Sequence, residues 1–269
     1  GPILAPNRRG AHDPRHLVGA DPELVARWTR AAGVRLVTLA PELPGAIETI
    51  RRLRAVGVVV AAGHSDASAR DAAKAVAAGL TMVTHLFNAM APIHHRRPGL
   101  AGYTLGSDDL AAGIIADGIH VAPEIVNLAF RALGTDRLVL VSDAVAAMGL
   151  GPGTHDLGGR TVRVDGDGVR RPDGTLAGSD LSLDQAVRNL AAFTGCAPAE
   201  AVACASATPA RVIGETERGL LRPGAVADVV LLDRDLRVVA TVCRGGIAHL
   251  DPAELGRLSG AEPPRHGPG

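Results

Sequence analysis

Three polar residues stand where apolar runs give out: His64 after 58–62, His85 after 81–84, and Asp143 after 138–142. A fourth run, 114–116, leads to Asp117 and His120. Neutral imidazole and carboxylate are the donors that Zn²⁺ or Fe²⁺ accepts, and a bound divalent ion brings the pKa of its water down to about 7. A neighbouring carboxylate can then act as general base toward that water and pass the proton to a leaving amine. One histidine at a strand end is more often a hydrogen-bonded structural residue than a ligand. The weight lies in the repetition: independent structural causes would have to place His64, His85 and Asp143 at the same end of successive units.

The elements that would position them are repeated β/α units. Short β-branched runs alternate with Ala-rich stretches from residue 34 to 144, the pattern of a parallel sheet covered by helices. Strands are expected at 35–40, 58–62, 81–86, 111–116 and 138–142, each nearly continuous in apolar residues, as strands buried on both faces are. A helix over 66–78, capped by Ser65 or Asp66 and stopped by Gly79, and another over 45–56, closed by Gly57, fill two of the gaps. In a (β/α)8 barrel the C-terminal strand ends build the active site, which would bring the named residues to one rim. After Gly149 the texture turns Gly-, Asp- and Arg-rich, and 158–174 reads as hairpins. Helices follow over 182–193 and 199–213, then strands at 227–233 and 238–243 before Gly245-Gly246. The domain reading is a partial barrel over 1–150 that carries the site, a substrate loop, last helices and small β-sandwich portion over 151–250, and a disordered tail over 251–269.

Composition excludes several classes. With 28 Lys+Arg against 28 Asp+Glu there is no global field to hold nucleic acid or an anionic membrane, so neither is expected as a partner and any anion site is local. Aromatic residues make up 2%, with Trp28 and Tyr103 alone of their kinds, too few for a base-stacking surface; Ala, Val and Leu must fill the core. Cys196, Cys204 and Cys243 are an odd, widely spaced set without a CxxC pair, which fits reduced thiols in a cytoplasm. No run approaches the roughly 20 apolar residues of a membrane span, and nothing reads as a signal peptide.

The motifs occur in a telling order: Gly1-Pro2, Gly10-Ala11-His12, Thr38-Leu39-Ala40-Pro41-Glu42, Gly63-His64-Ser65, Thr84-His85-Leu86-Phe87-Asn88-Ala89-Met90, Arg96-Arg97-Pro98-Gly99-Leu100-Ala101-Gly102, Asp117-Gly118-Ile119-His120-Val121 and Ser142-Asp143-Ala144. In order and spacing, from Gly1 to about Ile247, this series resembles the N-acetylglucosamine-6-phosphate deacetylases, metal-dependent amidohydrolases. The resemblance implies an α/β fold, an incomplete TIM (β/α)8 barrel of the metal-dependent hydrolase type with a small C-terminal β-sandwich portion. It implies one or two divalent ions (Zn²⁺ or Fe²⁺), with His64 and His85 as metal ligands and Asp143 as the acid/base residue, which in two-metal members also touches the second ion. Ala11 and His12 match residues at the sugar or its acetyl group, Asn88 and Ala89 a pair that binds substrate through side chain and backbone, and Leu176-Ala177-Gly178-Ser179 a substrate-contacting loop. Arg96 matches the phosphate-binding arginine, whose guanidinium fork fits phosphate oxygens, and His120 belongs with it, in a site that the family completes across a homodimer interface. Plainer readings stand beside these: His12 as a loop histidine before Asp13-Pro14, Asn88 as an N-cap, and His94-His95-Arg96-Arg97 as a solvated loop.

Glu42 ends the first strand and looks like a third ligand, but by the same resemblance the ligand Glu directly precedes Gly1-Pro2. The first barrel strands and half of the small β-sandwich would then also precede residue 1, and five strands cannot close an eight-stranded barrel. On that reading the chain is N-terminally truncated, binds metal poorly and has little activity. Two other functions share the scaffold: an amidohydrolase acting on a cyclic amide or N-acyl amino acid, and a truncated non-catalytic subunit.

Overall fold

The computed structural model describes residues 2–252; Gly1 and the tail expected to be disordered lie outside the described residues, apart from positions 251 and 252. The chain divides into two compact units, 1–215 and from Thr216 on. In the first, five strands pair in sequence order as one parallel sheet: β1 (Leu36–Leu39), β2 (Val59–Ala62), β3 (Met82–Val83), β4 (Ala111–Ile114) and β5 (Leu138–Leu140). Between them run α1 (Ala46–Ala55), α2 (Ala69–Ala77), α3 (Gly99–Gly106) and α4 (Pro123–Arg137), the last broken at Gly134. All four residues of β2 and of β4 are buried, as a sheet covered on both faces requires. The largest fully buried side chains are Ile and Leu, so aliphatic residues do the filling that an aromatic-poor chain demands.

All five expected strands are present, each shorter than its apolar run. The clearest case is β3, two residues instead of six, because His85 and Phe87 take positive φ (27° and 75°) and leave the extended region. Ser65 and Asp66 do not cap α2. Ser68 does, in a reciprocal box with Asp71, because the Ser65 hydroxyl donates to Glu42 and Asp66 pairs with Arg8. Gly79, at φ 109°, follows the helix as the sequence suggests.

Beyond β5, a three-stranded antiparallel sheet, β6 (Gly153–Asp156), β7 (Thr161–Asp165) and β8 (Gly168–Arg170), closes over its own small core of Val162, Val164, Val169, Ala147 and Ala177. Next comes α5 (Leu183–Thr194), N-capped by Ser182 and ended by Gly195 in the left-handed region. The single helix expected over 199–213 is two, α6 (Pro198–Ala205) and α7 (Ala207–Val212). They break at Ser206 (φ −132°, ψ −81°), which places Pro209 in a first turn, where its missing N–H costs nothing.

In the second unit, β9 (Val229–Leu232), β10 (Val238–Cys243) and β11 (Gly246–Leu250) form an antiparallel meander. β11 carries no β-branched run to announce it. It follows β10 through the two-residue turn Arg244-Gly245, both at positive φ (50° and 82°), the hairpin geometry that matches strand twist. Among the described residues no helix is long and apolar enough to cross a membrane.

Candidate active site

Parallel register brings the first two histidines together. Ala62 pairs with Val83, so His64 and His85, each two residues further on, reach the same level at the C-terminal edge of the sheet. Asp143 follows β5 at that edge. All three adopt positive φ (50°, 27° and 50°), as do Phe87 and Ala89 (75° and 49°), a conformation that costs a non-glycine residue about 1–2 kcal/mol. Specific hydrogen bonds hold them there: Ala5 N donates to His64 O (2.9 Å), Leu86 N to Gly113 O (2.7 Å), Ser65 N to Ala89 O (3.0 Å) and Ser179 N to Asp143 O (2.8 Å). Close packing tightens the frame. A Cβ on Gly63 would fall 2.8 Å from Thr84 Cβ, and one on Gly178, itself at φ 75°, would fall 2.7 Å from the Asp143 carbonyl oxygen.

The two imidazoles meet edge to face, with Nε2 atoms 3.0 Å apart and ring centroids 4.8 Å apart. His64 Nδ1 lies 2.9 Å from the Arg8 carbonyl, which can only accept. His64 therefore carries its proton on Nδ1 and turns a lone pair on Nε2 toward His85. Burial, and then the neighbouring His85, lower the His64 pKa to about 4. Burial also lowers that of His85, against the opposing pull of Asp143. At neutral pH both rings are uncharged, the form that binds metals.

This donor pair fits a divalent cation. Two nitrogens about 2.0–2.1 Å from a tetrahedral ion lie roughly 3.3 Å apart, close to the spacing seen, and a ligating histidine ordinarily donates its other N–H to a carbonyl, as His64 does. His85 Nδ1 is buried without a partner. Among the described residues no group of three His, Cys, Asp or Glu side chains gathers that could hold an ion, so His64 and His85 offer two donors without a third ligating side chain beside them. Glu42 is engaged elsewhere, accepting from Ser65 Oγ (2.7 Å) and Asp66 N (2.6 Å).

His64, His85 and Asp143 open into one cavity of about 590 Å³. Ala11, His12, Asn88, Ala89 and His120 line it, as do Leu176, Ala177 and Gly178 of the loop after β8. The His12 ring packs edge-on against His64 (4.7 Å), and its Nδ1 donates to Arg9 O (2.9 Å). His120 is aimed by Asp117, whose carboxylate accepts from its Nδ1 (2.6 Å) and from the backbone N–H groups of Ile119 and His120 (2.8 Å each). Burial alone would raise the Asp117 pKa, but these donors outweigh it and the pKa is lowered. The Asp143 side chain is exposed to the cavity, free to meet a ligand. No helix starts at Asn88, so it has no N-cap role; its side chain donates to Leu86 O (3.3 Å).

Two residues named from the sequence do not line the cavity. Ser179 is buried and its hydroxyl donates to the Ser142 carbonyl, so it supports the loop that carries Asp143. Arg96 lies exposed in the segment before α3. Conversely, Asn7, Arg8, Val145 and Leu157 line the cavity unannounced. Arg8 acts through a backbone carbonyl, which no side-chain motif can signal.

Residues 15–248 match the profile of the Amidohydrolase family. This chain belongs to the amidohydrolase family. Within it, this amidohydrolase is similar to the N-acetylglucosamine-6-phosphate deacetylase of Bacillus subtilis, 38% identical over 253 residues that cover 93% of this chain and 64% of that protein. It thus spans less than two thirds of the length of that curated relative. The crystal structure of the deacetylase from Thermotoga maritima matches with a TM-score of 0.88 at 35% identity, over 93% of this chain and 68% of that one. The substituted Mycobacterium smegmatis deacetylase, in complex with N-acetyl-D-glucosamine 6-phosphate, matches at 0.86 and 38% identity, over 92% of this chain and 66% of that one.

Proposed function

We propose that this chain carries the active site of a deacetylase that converts N-acetylglucosamine 6-phosphate to acetate and glucosamine 6-phosphate. The observation that carries the reading is the convergence of His64, His85 and Asp143 on one cavity, in a chain 38% identical to a deacetylase held with that sugar phosphate. A cavity of about 590 Å³ suits a monosaccharide phosphate. We further take the five-stranded sheet as an arc of a (β/α)8 barrel and the meander as part of a small β-sandwich. The setting is the cytoplasm, in keeping with three unpaired cysteines.

His64 and His85 would hold the divalent ion, Zn²⁺ or Fe²⁺, which when bound supplies Lewis acidity and lowers the pKa of water. The remaining work falls to the chain. Asp143, exposed beside His85, takes the proton as a water oxygen adds to the acetyl carbon, then returns it to nitrogen as the C–N bond breaks. His12, Ala11, Asn88, Ala89 and the 176–178 loop hold the sugar and its acetyl group, with Gly178 letting the backbone approach and Ser179 fixing the loop. His120, held in one tautomer by Asp117, belongs at the phosphate end. Arg96, exposed outside its own cavity, suits a phosphate contact supplied to the partner's site in a homodimer.

Asp143→Asn tests the assignment. In the full-length, one-metal protein turnover should fall by about 10³-fold or more, within the range for loss of a proton-transfer group, while metal content stays near that of the unsubstituted protein. Unchanged turnover would remove Asp143 from its role.

A further inference from the structure

We propose that Arg160, at the turn between β6 and β7, is a positioning residue that sets the location of His12. Its guanidinium grips the loop on both sides of that histidine. Nη1 donates to the carbonyl of Ala11 (3.0 Å), the residue before His12, and Nη2 pairs with the carboxylate of Asp13, the residue after it. The Asp13 side chain is only 12% exposed, so the pair is shielded on its acidic side. Asp13 also accepts from Arg15 N (2.9 Å), capping the 3-10 turn Pro14–His16, so the loop downstream of His12 is anchored through the same carboxylate.

Arg160 bridges this loop to the antiparallel sheet across a gap. Ala11 packs against the core of Val162, Val164 and Val169, and a cleft of about 200 Å³ bordered by Ala11, Asp13, Arg160 and Ala177 lies between the two segments. A guanidinium suits the gap: its planar fork reaches two acceptors in fixed geometry, where an ammonium offers a single point charge. Arg160 does not line the main cavity, whereas His12 does, with its ring 4.7 Å from that of His64. Arg160 therefore acts on the site through His12. The sheet that carries Leu157 and leads into the 175–178 loop is thereby held in register with the opposite wall of the cavity.

The consequence for turnover rests on the proposed deacetylase reading, while the structural claim does not, and the test separates them. ¹⁵N-detected spectra of the histidine rings, with His12 assigned by its absence in His12→Gln, should show a protonated Nδ1 in the wild type. In Arg160→Ala the His12 signals should shift or broaden while those of His120 stay in place; Arg163→Ala, on the same sheet, should leave both unchanged. Asp13→Asn should move His12 in the same way, and serves if Arg160→Ala is poorly folded. In active enzyme, Arg160→Ala should raise KM about 5- to 10-fold with kcat within about twofold, and adding it to His12→Ala should cause no further loss, since residues acting as a unit are not additive. Arg160→Lys should recover part of the affinity by restoring the Asp13 pair alone. Unmoved His12 signals in Arg160→Ala, or losses that multiply in the double variant, would overturn the proposal. A wild type with no deacetylase activity would instead defeat the functional reading and leave the ring spectra to decide the role of Arg160.

Discussion

Among the described residues, those other than glycine with positive φ fall in two regions, and the contrast between them is instructive. In the β9–β11 meander they are Leu236 and Arg244, both in turns, where a left-handed residue is what reversing the chain requires. At the edge of the parallel sheet they are His64, His85, Phe87, Ala89 and Asp143, at the ends of strands that had no need to turn back. Turn strain is local and exposed. At the sheet edge it is imposed by neighbours, through bonds such as Ser179 N to Asp143 O and through glycines whose missing Cβ lets strands close in. Strain fixed by several independent contacts, at residues able to bind a cation or move a proton, marks a site in a way that strain alone does not.

Removing the chemistry from the edge should give the largest effect. His64→Ala or His85→Ala should weaken zinc binding by at least about 100-fold, measured by competition with a chelator, with the fold retained by circular dichroism. Next comes a matched glycine pair. Gly178→Ala meets the Asp143 carbonyl at 2.7 Å and a positive φ together, and should cost about 2 kcal/mol or more and at least tenfold in kcat/KM. Gly245→Ala has φ 82° but nothing within 4 Å, so it should cost about 1 kcal/mol and leave kcat/KM unchanged. Equal losses of activity in the two would erase the distinction between the regions. Arg96→Ala should raise KM for the phosphorylated sugar severalfold and leave that for N-acetylglucosamine alone; equal effects on both would favour an unphosphorylated amide substrate. The smallest effects come from relieving strain. Arg244→Gly should stabilise by about 0.5 kcal/mol and leave turnover alone, whereas Ala89→Gly should relax the backbone beside the site and reduce kcat/KM about two- to fivefold.

The strands and the histidines that follow them were legible because buried parallel strands write themselves as unbroken apolar runs, and because the period of the β/α units places their ends together. The backbone conformation at those ends was not legible. Nothing in Thr84-His85-Leu86-Phe87 says that the strand stops two residues in. The cap of α2 lies two or three residues beyond the expected Asp66 or Ser65, because these good capping types are held by Arg8 and Glu42 from distant segments. Long-range contacts of that kind, like Arg8 to His64 or Arg160 to Ala11, leave no local trace in sequence. The second helical stretch shows the opposite failure. The single helix expected over 199–213 takes no account of Pro209, a local signal that an Ala-rich run need not continue unbroken.

His64 is fastened twice to one short stretch of chain. Its carbonyl accepts from Ala5 N and its ring donates to Arg8 O, both at 2.9 Å, while Ile3 and Leu4 are sunk in the interior. A protease that cuts the chain between Ala5 and Arg8 would loosen that imidazole without severing a strand of the sheet. Preparations cut there should keep most of their circular dichroism and bind added zinc more weakly, so mass spectrometry of the fragments is the sensible first check on any batch that reads as folded but inert.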